Sequence, residues 1–200
     1  DMLNNCYNLE EVCEITIEAN PGEAPIEKLK EFKAFGINRL SMGFQSLQPE
    51  LLKFLTRIHT KEQAIDTFHN ARLAGFENIN IDMIFSIPNQ SLEMLEDDLN
   101  TVINLNPNHI SAYSLTVESG TELNKMVKKN TITIPKDDSD LEMLIFVRDH
   151  LSKNNYNPYE ISNFALNGYE CKHNVHYWNT DPYLAFGPSA HGFDGKKRWW

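Results

Sequence analysis

Cysteine is scarce in this chain. Cys6, Cys13 and Cys171 are odd in number and form no C-x-x-C pair, which argues against a disulfide framework and for a reducing, cytoplasmic setting. Long apolar runs are absent as well. No stretch is long enough to span a bilayer as a helix, and no signal peptide opens the chain. Positive charge is short: 18 Lys and Arg stand against 28 Asp and Glu, a formal net charge of −10 that disfavours a general nucleic-acid partner. Clear termini are missing too. Asp1 sits in what reads as the tail of a helix, and Trp200 carries no terminating signal, so an internal fragment of a longer protein is expected. Against these absences, 41% hydrophobic and 23% charged residues are ordinary for a globular chain, and 200 residues suffice for one domain or one and a part.

The most informative stretch present is Asn78 to Pro88, N-I-N-I-D-M-I-F-S-I-P. Its β-branched and aromatic content, closed by proline, reads as a strand. At period two, Ile79, Ile81, Met83, Phe85 and Ile87 share one face, and Asn80, Asp82, Ile84 and Ser86 the other. Helical patterns on both sides make it a parallel strand, which ordinarily is apolar on both faces. A dry, unpartnered Asp there costs several kcal/mol, so Asp82 faces either a polar cavity or backbone amides that satisfy it. Two more stretches repeat the pattern. Ile15, Ile17 and Ala19 alternate with Glu14, Thr16, Glu18 and Asn20; Leu40, Met42 and Phe44 alternate with Arg39, Ser41, Gly43 and Gln45. Three polar second faces in one sheet imply a barrel or partial barrel with a ligand site inside, because a packed barrel centre would carry large apolar residues.

In chain order, strands are expected at 14–20, 39–46, 78–87 and 109–117. Helices are expected from Pro25 to Phe35, from Pro49, from Lys61 to Ala74, after Ser91 and from Asp138 to Asn154, with a polar loop before the last. This is an α/β chain of about four β-α units, residues 1–157, too few to close an eight-stranded barrel. Residues 158–200 crowd aromatics, Asn, His and Gly without a period and read as an irregular segment at the barrel mouth.

The stretches E-A-N-P-G (Glu18–Gly22), N-R-L-S-M-G-F-Q-S (Asn38–Ser46), I-N-I-D-M-I-F-S-I-P (Ile79–Pro88), H-I-S-A-Y-S-L-T (His109–Thr116) and Y-E-I-S-N-F-A (Tyr159–Ala165) resemble radical S-adenosylmethionine enzymes. The resemblance is to the branch that holds oxygen-independent coproporphyrinogen III oxidases and HemW-type heme chaperones, and H-N-V-H-Y-W (His173–Trp178) is similar to the chaperones' motif. It implies a partial (β/α) barrel that binds S-adenosylmethionine and a [4Fe–4S] cluster. One departure is large: the family's C-x-x-x-C-x-x-C triplet and its glycine-rich methionine-binding turn do not stand in this chain, and a cluster needs thiolates at fixed spacing.

By this resemblance Glu18, Gln45, Arg57 and Asp82 bind S-adenosylmethionine: the Glu18 carboxylate for an ammonium or sulfonium charge of its methionyl part, the Gln45 amide and Asp82 carboxylate for the ribose diol, and the Arg57 guanidinium fork for the methionyl carboxylate. The bland readings are a capping Glu18 and a solvated surface Arg57. His173 would contact heme iron, with Tyr177 and Trp178 as flat walls. Two other readings stay open for this segment: an aromatic cap without a ligand, and a zinc site from Cys171, His173 and His176 with His191 as fourth ligand. His59 and His69 read as surface residues, His109 as structural, and Asp137, Asp138 and Asp140 as a solvated helix start. The resemblance implies a heme chaperone that delivers heme to respiratory proteins. The runner-up is an oxidase that decarboxylates coproporphyrinogen III through a 5′-deoxyadenosyl radical, and a radical enzyme that opens heme shares the scaffold.

Overall fold

The computed structural model describes Cys6 and residues 12–135 and 137–200. They fall into two compact units, one ending at Tyr169 and the other running Glu170–Trp200.

In the first unit, strands β1 (Thr16–Ala19), β2 (Arg39–Gln45), β3 (Asn78–Phe85) and β4 (His109–Ser114) pair in parallel in that order. Helix α1 (Ile26–Ala34) links β1 to β2. Helices α2 (Pro49–Phe54) and α3 (Lys61–Leu73) link β2 to β3, and α4 (Leu92–Leu105) links β3 to β4. Helices α5 (Glu122–Lys128) and α6 (Asp137–Lys153) follow β4. The four β-α units expected from period-two alternation are therefore present. Their helices begin and end on local chemistry. Thr60 and Gln63 form a reciprocal capping box on α3, and Ser91 Oγ accepts from Met94 N at 3.1 Å on α4. Gly75, at φ 92°, ends α3 in a left-handed turn that favours glycine.

The segment after 157 is less irregular than expected. Strand β6 (Asn163–Ala165) pairs antiparallel with β4, and β5 (Asn157–Pro158) pairs antiparallel with β6, giving the order β1-β2-β3-β4-β6-β5. Strands this short carry no legible period, and the sheet holds them by backbone pairing together with the buried Phe164 and Asn163 side chains. Helix α5 is a second departure, lying where a loop was expected. Thr121 Oγ1 caps it, accepting from Asn124 N at 3.2 Å, but it buries no residue.

Register sorts the sheet's two faces. Leu40, Met42, Phe44, Ile79, Ile81, Met83, Phe85 and Ile110 form one core with Leu29 of α1, Phe68 of α3, Leu95, Leu99 and Val102 of α4, and Met143 and Val147 of α6. Each such side chain contributes about 1.5–3 kcal/mol by leaving water. Ser86 leaves the alternation: at φ 58° its Oγ turns to Asp140 of α6, to which Ser114 Oγ also donates at 2.7 Å. Asp140 is thus half-buried and bonded, unlike the solvated position expected; Asp138 is exposed.

The second unit holds α7 (Lys172–Trp178) and a ribbon of β7 (Gly192–Phe193) and β8 (Arg198–Trp199). The Trp199 indole packs against Gly192, where a Cβ would stand 2.2 Å from its nearest ring atom.

Candidate functional site

The C-terminal ends of the parallel strands surround a cavity of about 410 Å³, lined by Glu18 of β1, Gln45 of β2, Asp82 and Ile84 of β3, Tyr113 and Ser114 of β4, and Leu115 and Thr116 beyond it. Strand ends are where sites collect in parallel α/β sheets. Three of the residues expected at a cofactor site, Glu18, Gln45 and Asp82, meet here. A bulge delivers Gln45: the pairing register shifts between Gly43 and Gln45, and Gln45 takes φ 66°. Its amide folds back over Gly43, where a Cβ would stand 2.7 Å from Gln45 Nε2.

Beneath the cavity the polar face is one hydrogen-bonded network. Asn80 Nδ2 donates to Asp82 Oδ1 at 2.8 Å and to Ser41 Oγ at 2.7 Å, and Ser41 Oγ donates to Asp82 Oδ2 at 3.1 Å. His109 Nδ1 lies 2.6 Å from Asn80 Oδ1, and its Nε2 lies 2.8 Å from the Tyr159 hydroxyl. Ser111 Oγ donates to Asn163 Oδ1 at 2.7 Å, and Asn163 Nδ2 donates to Glu160. Burial pushes the Asp82 carboxyl above its ordinary range, against the pull of its Asn80, Ser111 and Ser41 bonds and the Arg39 charge. Burial, helped by Arg39, drives His109 down to about 3, so its ring is neutral at physiological pH. Arg39 is itself buried, and its Nε has no partner among the described residues.

Arg57 lies elsewhere. It lines a separate cavity of about 600 Å³ with Lys53, Lys61, Leu52, Pro49 and His59. His59 is buried rather than on the surface, and its Nε2 donates to the Phe44 carbonyl at 3.2 Å. Burial lowers its pKa. The turn between β2 and α2 is pinned by Asp98 of α4, which accepts from Ser46 Oγ at 2.6 Å, Leu47 N at 3.0 Å and Gln48 Nε2 at 2.8 Å.

In the second unit, His173 and Tyr177 share a small pocket of about 90 Å³ with His176, Pro182 and Tyr183. The His173 and Tyr177 rings meet edge-on at 4.7 Å, and Tyr177 meets Tyr183 at 4.4 Å. Trp178 lies outside this pocket and is exposed. His176 Nδ1 pairs with Asp181 Oδ2 at 2.8 Å. Among the described residues, no group of three or more His, Cys, Asp or Glu is arranged to hold a metal ion.

Residues 2–102 match the Radical SAM superfamily. The chain belongs to that superfamily. Its relatives include the heme chaperone HemW of Bacillus subtilis, 39% identical over 99% of this chain and 52% of that protein. The heme chaperone HemW of Haemophilus influenzae is 40% identical over 92% of this chain and 47% of that protein. The chain thus spans about half the length of the curated relatives it matches. Among solved structures, the radical SAM enzyme coproporphyrinogen III oxidase (HemN) of Escherichia coli superposes with a TM-score of 0.76 at 25% identity, over 92% of this chain and 45% of that one. The mixed α/β sheet is accordingly the radical SAM barrel type, with the described strands leaving it open.

The residues can be tested against what this superfamily binds. Two carboxylates and an amide around a strand-end cavity suit a ligand with cationic groups and hydroxyls, as S-adenosylmethionine is. A cluster needs grouped thiolates, and the described residues do not supply them. The pocket at His173, about 90 Å³, is too small to enclose a porphyrin. Sequence reasoning passed over Asn80, Ser111, Tyr159 and Asn163 as site residues, although the polar alternation and two of the quoted motifs contain them.

Proposed function

We propose that this radical SAM chain is part of a HemW-type heme chaperone, which holds S-adenosylmethionine at the strand-end cavity and contacts heme through the second unit. The observation that carries this reading is the identity to two proteins named heme chaperone HemW across more than nine-tenths of the chain. In this reading Glu18, Gln45 and Asp82 hold the cofactor's cationic groups and ribose, and Arg57, which lines the separate cavity, is the partner assigned to its carboxylate. His173 contacts heme iron, with Tyr177 and Trp178 as apolar surface. The cluster's thiolates come from outside the described residues. Heme-accepting respiratory proteins are the expected partners and the cytoplasm the setting; no helix of the described residues is long and apolar enough to cross a membrane.

The superposition on coproporphyrinogen III oxidase favours a second reading, oxidative decarboxylation of coproporphyrinogen III. Bound S-adenosylmethionine would there supply a 5′-deoxyadenosyl radical. The deciding experiment gives the full-length, cluster-reconstituted protein heme and, separately, coproporphyrinogen III. Stable heme binding with a Soret band that His173→Ala shifts and His176→Ala leaves in place supports the chaperone. Steady decarboxylation would overturn it.

A further inference from the structure

We propose that Asn80 and His109 are positioning residues, which hold the Asp82 carboxylate toward the strand-end cavity through a hydrogen-bond line that begins at Tyr159. This rests on the reading of that cavity as an S-adenosylmethionine site and deepens it.

The direction of every bond in the line follows from the groups present. Both protons of the Asn80 amide are committed, one to Asp82 Oδ1 at 2.8 Å and one to Ser41 Oγ at 2.7 Å. That fixes the amide's orientation and leaves its oxygen to face His109. A carbonyl oxygen can only accept, so His109 Nδ1, 2.6 Å away, carries the ring proton. A neutral imidazole has one N–H, so Nε2 is bare and accepts from the Tyr159 hydroxyl at 2.8 Å. Ser41 closes the arrangement by donating to Asp82 Oδ2 at 3.1 Å. Each carboxylate oxygen therefore has a fixed donor, and the donor on Oδ1 is itself oriented by His109, with Ser111 Oγ a longer second contact at 3.2 Å on the same Asn80 oxygen. Asn80 and His109 are buried, so neither can exchange its partner for water without opening the sheet.

The same line gives a use to residues, drawn from two stretches, that do not themselves line the cavity. H-I-S-A-Y-S-L-T contributes His109 and Ser111, and Y-E-I-S-N-F-A contributes Tyr159, Glu160 and Asn163. They are brought together by the antiparallel addition of β6 to β4, which sets Asn163 opposite Ser111 and Ala165 opposite His109. The hairpin after α6 thus reaches the ligand cavity through His109 and Asn80, and also through Ser111, whose hydroxyl lies between Asn163 and Asn80.

The test measures S-adenosylmethionine affinity and melting temperature in the full-length, cluster-reconstituted protein. Asn80→Ala is expected to weaken binding about tenfold, the loss of one hydrogen bond to a charged group. His109→Leu should weaken it in the same direction. His109→Asn restores an N–H where Nδ1 stood, and should recover most of the affinity. This rescue separates positioning from bulk packing, since Leu is the better apolar filler. If both variants at His109 lower the melting temperature alike while affinity stays within error of wild type, the proposal is overturned. Asp82→Asn tells the two failures apart. If it leaves affinity unchanged, the cavity reading falls and the positioning line with it. If it weakens binding while Asn80→Ala and His109→Leu do not, the cavity reading stands and the positioning line falls.

Discussion

Gly43 shows how a single missing side chain shapes the cavity. A methyl there would meet Gln45 Nε2 at 2.7 Å, which is the far end of a flexible side chain and can move. Gly43 has no left-handed backbone angle to lose. Gly43→Ala is therefore expected to push the Gln45 amide out of place and weaken cofactor binding severalfold while moving the melting temperature little; calorimetric titration and a thermal scan on full-length protein check both halves. A melting temperature that collapses instead would place the methyl's clash in the backbone. His109 carries the second prediction. Its folded pKa, about 3, lies below the ordinary imidazole value of 6.5. Below pH 6.5 the unfolded chain binds a proton that the folded ring refuses. The contribution is fully present above about 6.5 and drains away as pH falls toward 3, at up to about 1.4 kcal/mol per pH unit. His59, also depressed by burial, acts in the same direction, whereas the raised carboxyls of Asp82 and Asp98 act in the opposite one. The slope difference between wild type and His109→Asn isolates the one ring: denaturant unfolding from pH 7 to 4 should show the variant losing less stability, and parallel curves would refute it. At this scale the sequence was partly legible. Alternation alone puts Glu18 and Asp82 on a polar face of the sheet, while a cofactor role for them was implied by the resemblance. Arg57 was placed by resemblance, and it lines a separate cavity with residues of α2 and the turn before α3. His59 misled because burial by a loop leaves no periodic trace.

At the scale of elements, the parallel strands and their helices were readable because each satisfies two rules at once, a period and a cap. Strands β5 and β6 satisfy neither, being two and three residues long. Helix α5 has a cap and no buried face, so its sequence resembles a polar loop. The turn from β2 into α2 illustrates the remaining gap: what fixes it is Asp98, fifty residues away on α4, with its donors on Ser46, Leu47 and Gln48. That carboxylate is fully buried, and burial raises its pKa against the pull of those three donors. Asp98→Ala would strand a buried hydroxyl and a backbone N–H, each worth about 1–3 kcal/mol when left unsatisfied. A loss of roughly 2–4 kcal/mol by chemical denaturation is expected from these two together. A cost below about 0.5 kcal/mol, the size of an ordinary surface substitution, would mean the turn holds without this anchor.

For the whole molecule, the sheet's two ends differ. At one end β5 is two residues long and includes Pro158, which has no N–H to offer, so that edge is poorly suited to pairing. At the other end β1 offers four residues, Thr16–Ala19, whose outer backbone groups pair with no strand among the described residues. Among the described residues, its safeguards are its shortness and the charge of Glu18. Exposed strand edges of this kind template association, and the neighbouring polar face does nothing to cover them. The 200-residue chain is therefore expected to associate through β1 as its concentration rises, which sedimentation velocity would register as an average mass above that of the monomer. Thr16 is exposed and outside the core, so Thr16→Lys adds charge to the edge without disturbing packing. That variant should return the chain toward the monomer with an unchanged melting temperature. A wild-type chain that stays monomeric to high concentration, or a Thr16→Lys variant that associates as strongly as wild type, would show that β1 is not the adhesive edge.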